Sequence, residues 1–537
     1  MRVGHFSFLQ ESRPITGDLF TPHRLDTGRS VTTAGTREFG DLSIRRTTAK
    51  AIVSRFVPRW MGVEHDWRAG VQLERGAHDA TSVLPGGVRY LDSNDVRVQS
   101  ISADPSSTGG LAITASAFAS DAVTIGGRLS ISAGLRLDHA RAIVPDLPAV
   151  DLRGQETGEQ VEGLGTVYRW NVLSPRLGTV LRLTRDGRTV ARASVGRFHA
   201  GVLTGEISPF HPGEAVVTTR NFVEADGDYT VIQSRLDPAT NGRLDPRLRS
   251  PHTDELSVGV DRQLGGQVTV AAAYVHKTGR DFVGWTDERG QYTSQQRTLA
   301  DGSSVEVSVL TSASNDRRFL LTNPPEYSMT YDGLVVAIEK RRRNGWHASG
   351  SYTLSRAFGL QASGGASAAA PQVTTVAPPP AAGLTFGQNP NDLTNARGRL
   401  PNDRPHVLRA MASGEVPRAG LLLAANFQYF SGKPWAASAT VRLEGTPRRI
   451  LLEPRGYRRL SSQSLLDVRI SRPFRVGPTT TIHLAVDVLN ALNDTAEEGL
   501  VSDVVMTERE MSSNFGLPSL FMDPRRAMFS ARVGWGR

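Results

Sequence analysis

Two stretches group oxygen ligands in a way that suits a hard cation. Glu224-Ala-Asp-Gly-Asp-Tyr229 and Asp237-Pro-Ala-Thr-Asn-Gly-Arg-Leu-Asp-Pro246 each bring carboxylates close enough to hold Ca²⁺. The same residue types build tight turns, because Asp and Asn side chains bond nearby backbone and Gly accepts positive φ. The turn reading is preferred, and no metal is assigned. The 12 histidines are scattered and there is no cysteine, so thiolate chemistry is absent. No Gly-Lys-Ser/Thr phosphate loop, His-Glu-x-x-His zinc helix or Gly-x-Ser-x-Gly nucleophile elbow occurs. No catalytic residue and no cofactor is therefore nominated, and the chain is expected not to be an enzyme.

The charges that follow a pattern are those on every second position, opposite apolar residues. In 332–357, Leu334, Val336 and Ile338 alternate with Val335, Ala337, Glu339 and Arg341. In 465–493, Leu466, Val468 and Ile470, then Ile482, Leu484, Val486 and Val488, take one face, while Asp467, Arg469, His483 and Asp487 take the other. Such a period of two belongs to β-strands. Glu339, Arg341, Asp467, Arg469, His483 and Asp487 are the candidates to line a hydrated lumen, paired across strands. His347 and His406 are expected at the lumen or its rim, solvated rather than ligating.

Hairpins position these residues. Asn344-Gly345 turns one strand into a return strand with Trp346, Ala348, Gly350, Tyr352 and Leu354 on its apolar face. Asp186-Gly187 and Gly265-Gly266 mark two more turns. They join Leu177, Leu181 and Leu183 to Ala191, Ala193 and Val195, and Leu256, Val258 and Val260 to Val268, Val270, Ala272 and Tyr274. Short links near 58–63, 120–127, 185–188, 264–266, 343–345, 417–419 and 474–478 alternate with long Gly/Pro/Asp-rich ones at 76–110, 141–174, 199–251, 278–330, 358–403, 431–463 and 491–524. A transmembrane barrel has this asymmetry, with short periplasmic turns and long extracellular loops. The sequence predicts an all-β, antiparallel transmembrane β-barrel with about 16 recognisable strands, including a weak one near 3–8.

The chain ends on Ala527, Phe529, Ala531, Val533 and Trp535 alternating with Met528, Ser530, Arg532 and Gly534, which predicts a last strand paired on both sides as the barrel closes. Trp67, Trp346, Trp535 and Tyr429 fall near strand ends, where aromatic rings suit the headgroup level. Ala/Pro/Gly-rich sequence at 359–392 reads as a mobile surface loop within an extracellular segment 359–403.

A formal net charge of +9 raises the question of nucleic acid. Only Lys50, Lys277, Lys340 and Lys433 are lysines among 62 basic residues, and the arginine pairs lie apart among acids, which argues against nucleic acid as a partner. No apolar run is long enough for a transmembrane helix. The first residues, Met1-Arg-Val-Gly-His-Phe-Ser-Phe, lack the apolar core of a signal peptide.

Several phrases in order resemble the barrel of TonB-dependent outer-membrane receptors, nearest to the Oar-like branch. They include 120–138, 171–183, 187–198, 252–264, "ASGSYTLSRAFG" at 348–359, "NDRPHVLRAMASGEVP" at 402–417, "YFSGKPW" at 429–435 and "LAVDVLNALN" at 484–493. The resemblance implies a barrel of 22 strands around a plug, preceded by a segment that engages TonB. Neither plug nor TonB-binding segment is recognisable here, so residues 1–537 are expected to be the barrel domain of a longer receptor, incomplete at its N-terminal side. Implied partners are outer-membrane lipid and lipopolysaccharide, TonB through a segment absent from this chain, and an unknown large solute such as a siderophore, oligosaccharide or peptide. The lumen wall would then contact the plug more than the solute. A surface scaffold or adhesin barrel is the alternative. A soluble sugar-active enzyme would need a carboxylate pair that cannot be nominated.

Overall fold

The computed structural model describes residues 1–535 apart from Ser30, Leu203, 314–315, 361–362, 365–366, 369–389, 444–445 and 508–509. Sixteen long strands form one antiparallel meander, each bonded to its neighbours in sequence order. They are β1 (Arg2–Ser12), β2 (Gly40–Trp60), β3 (Val63–Ser82), β4 (Ser106–Ile125), β5 (Leu129–Val144), β6 (Gly165–Arg182), β7 (Thr189–His199) and β8 (His252–Gln263). The second half comprises β9 (Val268–Arg280), β10 (Ser328–Arg343), β11 (Trp346–Leu360), β12 (His406–Val416), β13 (Leu421–Phe430), β14 (Gln463–Val476), β15 (Thr480–Leu489) and β16 (Arg526–Trp535). A two-residue strand at Gly398–Arg399 adds to the edge of β11.

The predicted faces hold. Leu177, Val195, Leu256, Val258, Leu334, Ile338, Leu354, Ile470 and Leu484 are exposed in one apolar belt, as lipid-facing residues must be. In the predicted hairpin, Asn344 and Gly345 both take positive φ, 56° and 78°, which matches strand twist. At the Gly265-Gly266 link the left-handed residue is Gln267, with φ 66°.

Loop bounds differ from expectation. Segments 76–82, 106–110 and 165–174 are strand, because β3, β4 and β6 run for 20, 20 and 18 residues, whereas a bilayer needs about 9–11. Roughly half of each stands above the membrane, where no apolar belt marks it in sequence. The predicted turn at 120–127 is likewise strand as far as Ile125, with the turn at 126–128.

The last strand corrects another expectation. β16 bonds β15 from Leu489↔Arg526 to Thr480↔Trp535, and β1 bonds β2 along its whole length. Among the described residues no pairing joins β1 to β16, so the sheet has two free edges. Side-chain alternation reports which face a residue takes, and it carries no information about who bonds the backbone edge.

The long links are folded. Strands 23–26, 31–34, 88–93, 96–103, 217–223 and 228–236, drawn from three links, form a six-stranded sheet. Residues 369–389 of the expected mobile loop lie outside the described residues. The end of that loop is anchored: Asn391 is 3% exposed and its side chain bonds both the N–H (2.8 Å) and the carbonyl (2.7 Å) of Ser308.

Candidate functional site

The inward positions of the wall carry cross-strand charge pairs. Arg469 on β14 lies opposite Asp487 on β15 in register, 3.3 Å apart. Asp467 Oδ1 accepts the backbone N–H of Asn490 at 3.0 Å. His483 faces Arg532 of β16 and forms no ion pair with it. Glu339 sits between Thr269 and Ser349. Arg341 falls in a bulge where the register shifts between Lys340 and Arg343, so the alternation that placed it in the lumen breaks there. Of the six predicted residues, the structure brings together Arg469 and Asp487, with Asp467 one position along the same face. Glu339 and Arg341 make no ion pair among the described residues.

The fuller set of inward pairs escaped the sequence reading. Arg46 meets Glu74 at 2.7 Å, Arg192 meets Asp261 at 2.7 Å, and Lys277 meets Glu255 at 2.9 Å. Arg136 binds Asp138 at 2.8 Å and Ser116 Oγ at 2.7 Å. The signal was available, because each lies on the face opposite the apolar one; what was missing was the register that makes them neighbours. Exposed pairs of this kind contribute about 0–1 kcal/mol each, so they keep the wall hydrated more than they hold it together.

His347 Nδ1 lies 3.0 Å from Ser413 Oγ. His406, expected at the lumen or its rim, takes the outward face at the end of β12. Its register opposite Leu354 puts it there, and Tyr352 donates to its Nδ1 at 2.7 Å.

Above the wall, long links fold against its inner face and fill the mouth. Ala140, Ala142 and Val144 of β5 and Tyr168 and Trp170 of β6 form a buried cluster with Ile207 and Leu248 from the link between β7 and β8 and Val283 and Leu321 from the link between β9 and β10. The Trp170 indole N–H donates to the Leu248 carbonyl at 3.0 Å. Gly213 passes so close to the Ser107 carbonyl that a Cβ there would collide with it. Lower on the rim, Asp403 of the "NDRPH" phrase accepts the Ala357 N–H at 2.6 Å and pairs with Arg459. Arg404 bonds Gln463 Oε1 at 2.9 Å. The phrase thus ties three rim segments to one another.

The carboxylates offered as Ca²⁺ ligands make turns. Asp226 accepts the Thr230 hydroxyl at 2.6 Å, and Gly227 takes φ 66° between two strands of the outer sheet. Asp245 accepts the Arg247 N–H at 2.8 Å and the Thr322 hydroxyl at 2.6 Å.

Two titratable groups sit in the mouth segment. His211 is 1% exposed; its Nε2–H donates to the Pro145 carbonyl (2.8 Å) and its Nδ1 accepts the Gly213 N–H (3.0 Å). Burial holds its pKa below 6.5, against the pull of Asp146 and of Asp79 on β3. Burial pushes the neighbouring Glu214 up to about 7. The signs oppose each other. Stability from neutral His211 is present above its unfolded value and is lost as pH falls below 6.5. Stability from protonated Glu214 is present below its unfolded value of 4.5 and is lost as pH rises through about 7. Amide protection of 208–216 is therefore expected to lose the Glu214 contribution between pH 4.5 and about 7, offset below 6.5 by the gain from neutral His211. Glu214→Gln should abolish that loss and leave a profile that only rises toward pH 6.5; identical profiles for the variant and the unsubstituted chain would sink this account.

A family model described as an outer membrane beta barrel domain matches residues 94–450. The chain belongs to that family. It is 20% identical over 498 residues to the TonB-dependent transporter Oar of Myxococcus xanthus, covering 80% of this chain and 42% of Oar. Among solved structures it is similar to the outer membrane transporter YddB from Escherichia coli, with TM-score 0.55, 12% identity, and coverage of 99% of this chain and 59% of YddB. The ferric citrate transporter FecA in the unliganded form matches with TM-score 0.50 and 11% identity over 94% of this chain and 56% of FecA. This outer-membrane barrel domain thus spans less than two thirds of each of these proteins. Its fold and its place in the outer membrane agree with the apolar belt, and the relatives named are transporters.

Proposed function

We propose that this barrel domain is the wall of a TonB-dependent receptor that, in its complete form, takes up a large solute such as a siderophore, oligosaccharide or peptide. The observation that carries the reading is the combination of a hydrated, ion-paired inner face with a mouth built from ordered, inward-packed links. A solute-admitting receptor needs both a polar route and an organised entrance. The relative named as a transporter and the receptor-like fold support it. Residues 1–537 act as one barrel domain, with 359–403 as one of its extracellular links. TonB, engaged through a segment outside this chain, would supply energy, and outer-membrane lipid and lipopolysaccharide would surround the belt.

The six-stranded outer sheet favours a second reading, a surface scaffold. Expression of the full reading frame in a Gram-negative host with and without TonB, with labelled siderophores, oligosaccharides and peptides, separates the two. Uptake that disappears without TonB supports the receptor; surface binding with no uptake from the panel supports the scaffold.

A further inference from the structure

One row of the outward face carries positive charge that the chain leaves unmatched. Register sets Arg75 of β3 opposite Ile113 of β4, Ile113 opposite Arg141 of β5, and Arg141 directly opposite Arg169 of β6. The row points outward, because it shares the parity of Leu73, Leu137 and Leu173, which are exposed in the apolar belt. Arg75 and Arg169 are exposed and Arg141 is half-buried. Among the described residues none of the three forms an ion pair. Other outward arginines are matched: Arg45 pairs with Asp79, and Arg197 binds both oxygens of Asp254 at 2.7 and 2.8 Å. Like charges directly opposite in a sheet repel, so Arg141 and Arg169 call for an anion that the wall does not supply.

Depth and charge identify that anion. Arg75 and Arg141 stand 12 residues from the periplasmic ends of their strands at Val63 and Leu129, and Arg169 stands 13 from Arg182. For strands tilted by about 45° this is a height of about 30 Å, the thickness of the hydrocarbon core. The row therefore meets the outer leaflet at headgroup level. Two guanidinium groups side by side suit a phosphate monoester, which carries about −1.5 to −2 charge near pH 7 and three acceptor oxygens, better than the singly charged diester of a glycerophospholipid. Arg75 adds a third positive charge about 10 Å from Arg141, across Ile113. On the membrane side of the pair, Leu137 and Leu173 face each other in register and are 53% and 49% exposed, where acyl chains would lie.

We propose that Arg141 and Arg169, with Arg75 beside them, bind a phosphate monoester on the headgroup of an outer-leaflet glycolipid, the lipid A part of lipopolysaccharide. Both guanidinium groups donate to the phosphate oxygens, and the acyl chains run down over Leu137 and Leu173. The bound anion relieves the repulsion between the two arginines, so the lipid completes this part of the wall. The proposal rests on the outward face meeting the outer leaflet and not on any transported solute, so a failure of the uptake reading leaves it intact.

The test is native mass spectrometry of the full chain refolded in detergent and titrated with diphosphoryl lipid A, with phosphatidylglycerol or with inorganic phosphate. Lipid A is expected to be retained over phosphatidylglycerol, and excess inorganic phosphate, which has no chains, should not displace it. Arg141→Ser and Arg169→Ser should each weaken retention of lipid A about tenfold, as the loss of one charge-assisted hydrogen bond implies. Arg197→Ser removes an outward arginine that Asp254 already matches, and should leave retention unchanged. Either substitution in the opposed pair also removes its repulsion, so without lipid neither variant should unfold earlier than the unsubstituted chain, as read by heat-modifiable gel mobility. Equal retention of the two lipids, displacement by inorganic phosphate, retention unaffected by Arg141→Ser and Arg169→Ser, or an equal loss with Arg197→Ser would each overturn the proposal.

Discussion

Replacing Ile338 by arginine is expected to cut the folding yield of this barrel in lipid vesicles, by about 2–4 kcal/mol of insertion free energy for a cation at the bilayer midplane. Ile338 is 52% exposed on the outward face, in register between Val270 of β9 and Gly350 of β11. It lies five residues before the periplasmic end of β10 at Arg343, about halfway through the roughly ten residues that cross the bilayer. An arginine there has no water to hydrate it except by bending toward an interface. The control is Ser351→Arg on β11. Ser351 lies on the opposite, inward face between Ala337 and Arg409, where a new cation meets water and costs at most the weak, hydrated repulsion of Arg409, so its yield should stay near that of the unsubstituted chain. Yield is read as the heat-modifiable fraction by gel mobility. Equal losses for both variants would mean that the two faces are not lipid and water, and the topology would fall with them.

The same contrast shows what was legible in the sequence. Ile338 and Ser351 could be assigned to opposite faces because a strand's period of two needs no partner to be seen. The outward belt, the alternation of short and long links and the Asn344-Gly345 turn followed from that property and from turn chemistry. Pairings between distant strands did not. Arg192 and Asp261 meet because β7 and β8 are in a particular register, and a shift of one position would have separated them. Arg341 shows the converse: an added residue in the ladder breaks the period, and nothing in Arg-Arg-Arg-Asn-Gly announces the bulge. The outer sheet was partly visible. Val217–Val223 and Asp228–Leu236 are β-branched runs around Asp226-Gly227, a hairpin signal that was read only as a turn. The mouth was least visible, since Ile207, Leu248, Val283 and Leu321 lie far apart along two links, and only tertiary contact makes them one core.

That core supplies the second large effect. Trp170→Ala is expected to cost about 3–5 kcal/mol, the usual range for deleting a buried aromatic ring. Trp170 is 4% exposed, packs on Tyr168 at 4.9 Å between ring centroids, and bonds the Leu248 carbonyl. The loss should be local. β6 keeps its backbone bonds to β5 and β7, so the wall survives and the links that the indole anchors come loose. Limited proteolysis should then cut 200–216 or 245–250 much faster, while heat-modifiable mobility stays unchanged. Trp170→Phe separates packing from the hydrogen bond: it keeps most of the ring and loses the N–H, for about 1 kcal/mol. Proteolysis of this variant should fall between the other two. If Trp170→Ala instead abolishes the folded wall, the mouth and the wall form one cooperative unit, and the inward-packed links could not open without unfolding the strands that carry them. If only the links are released, the entrance has a stability of its own, lower than that of the wall, which is the energetic condition for a mouth that opens to a solute while the barrel stays in the membrane.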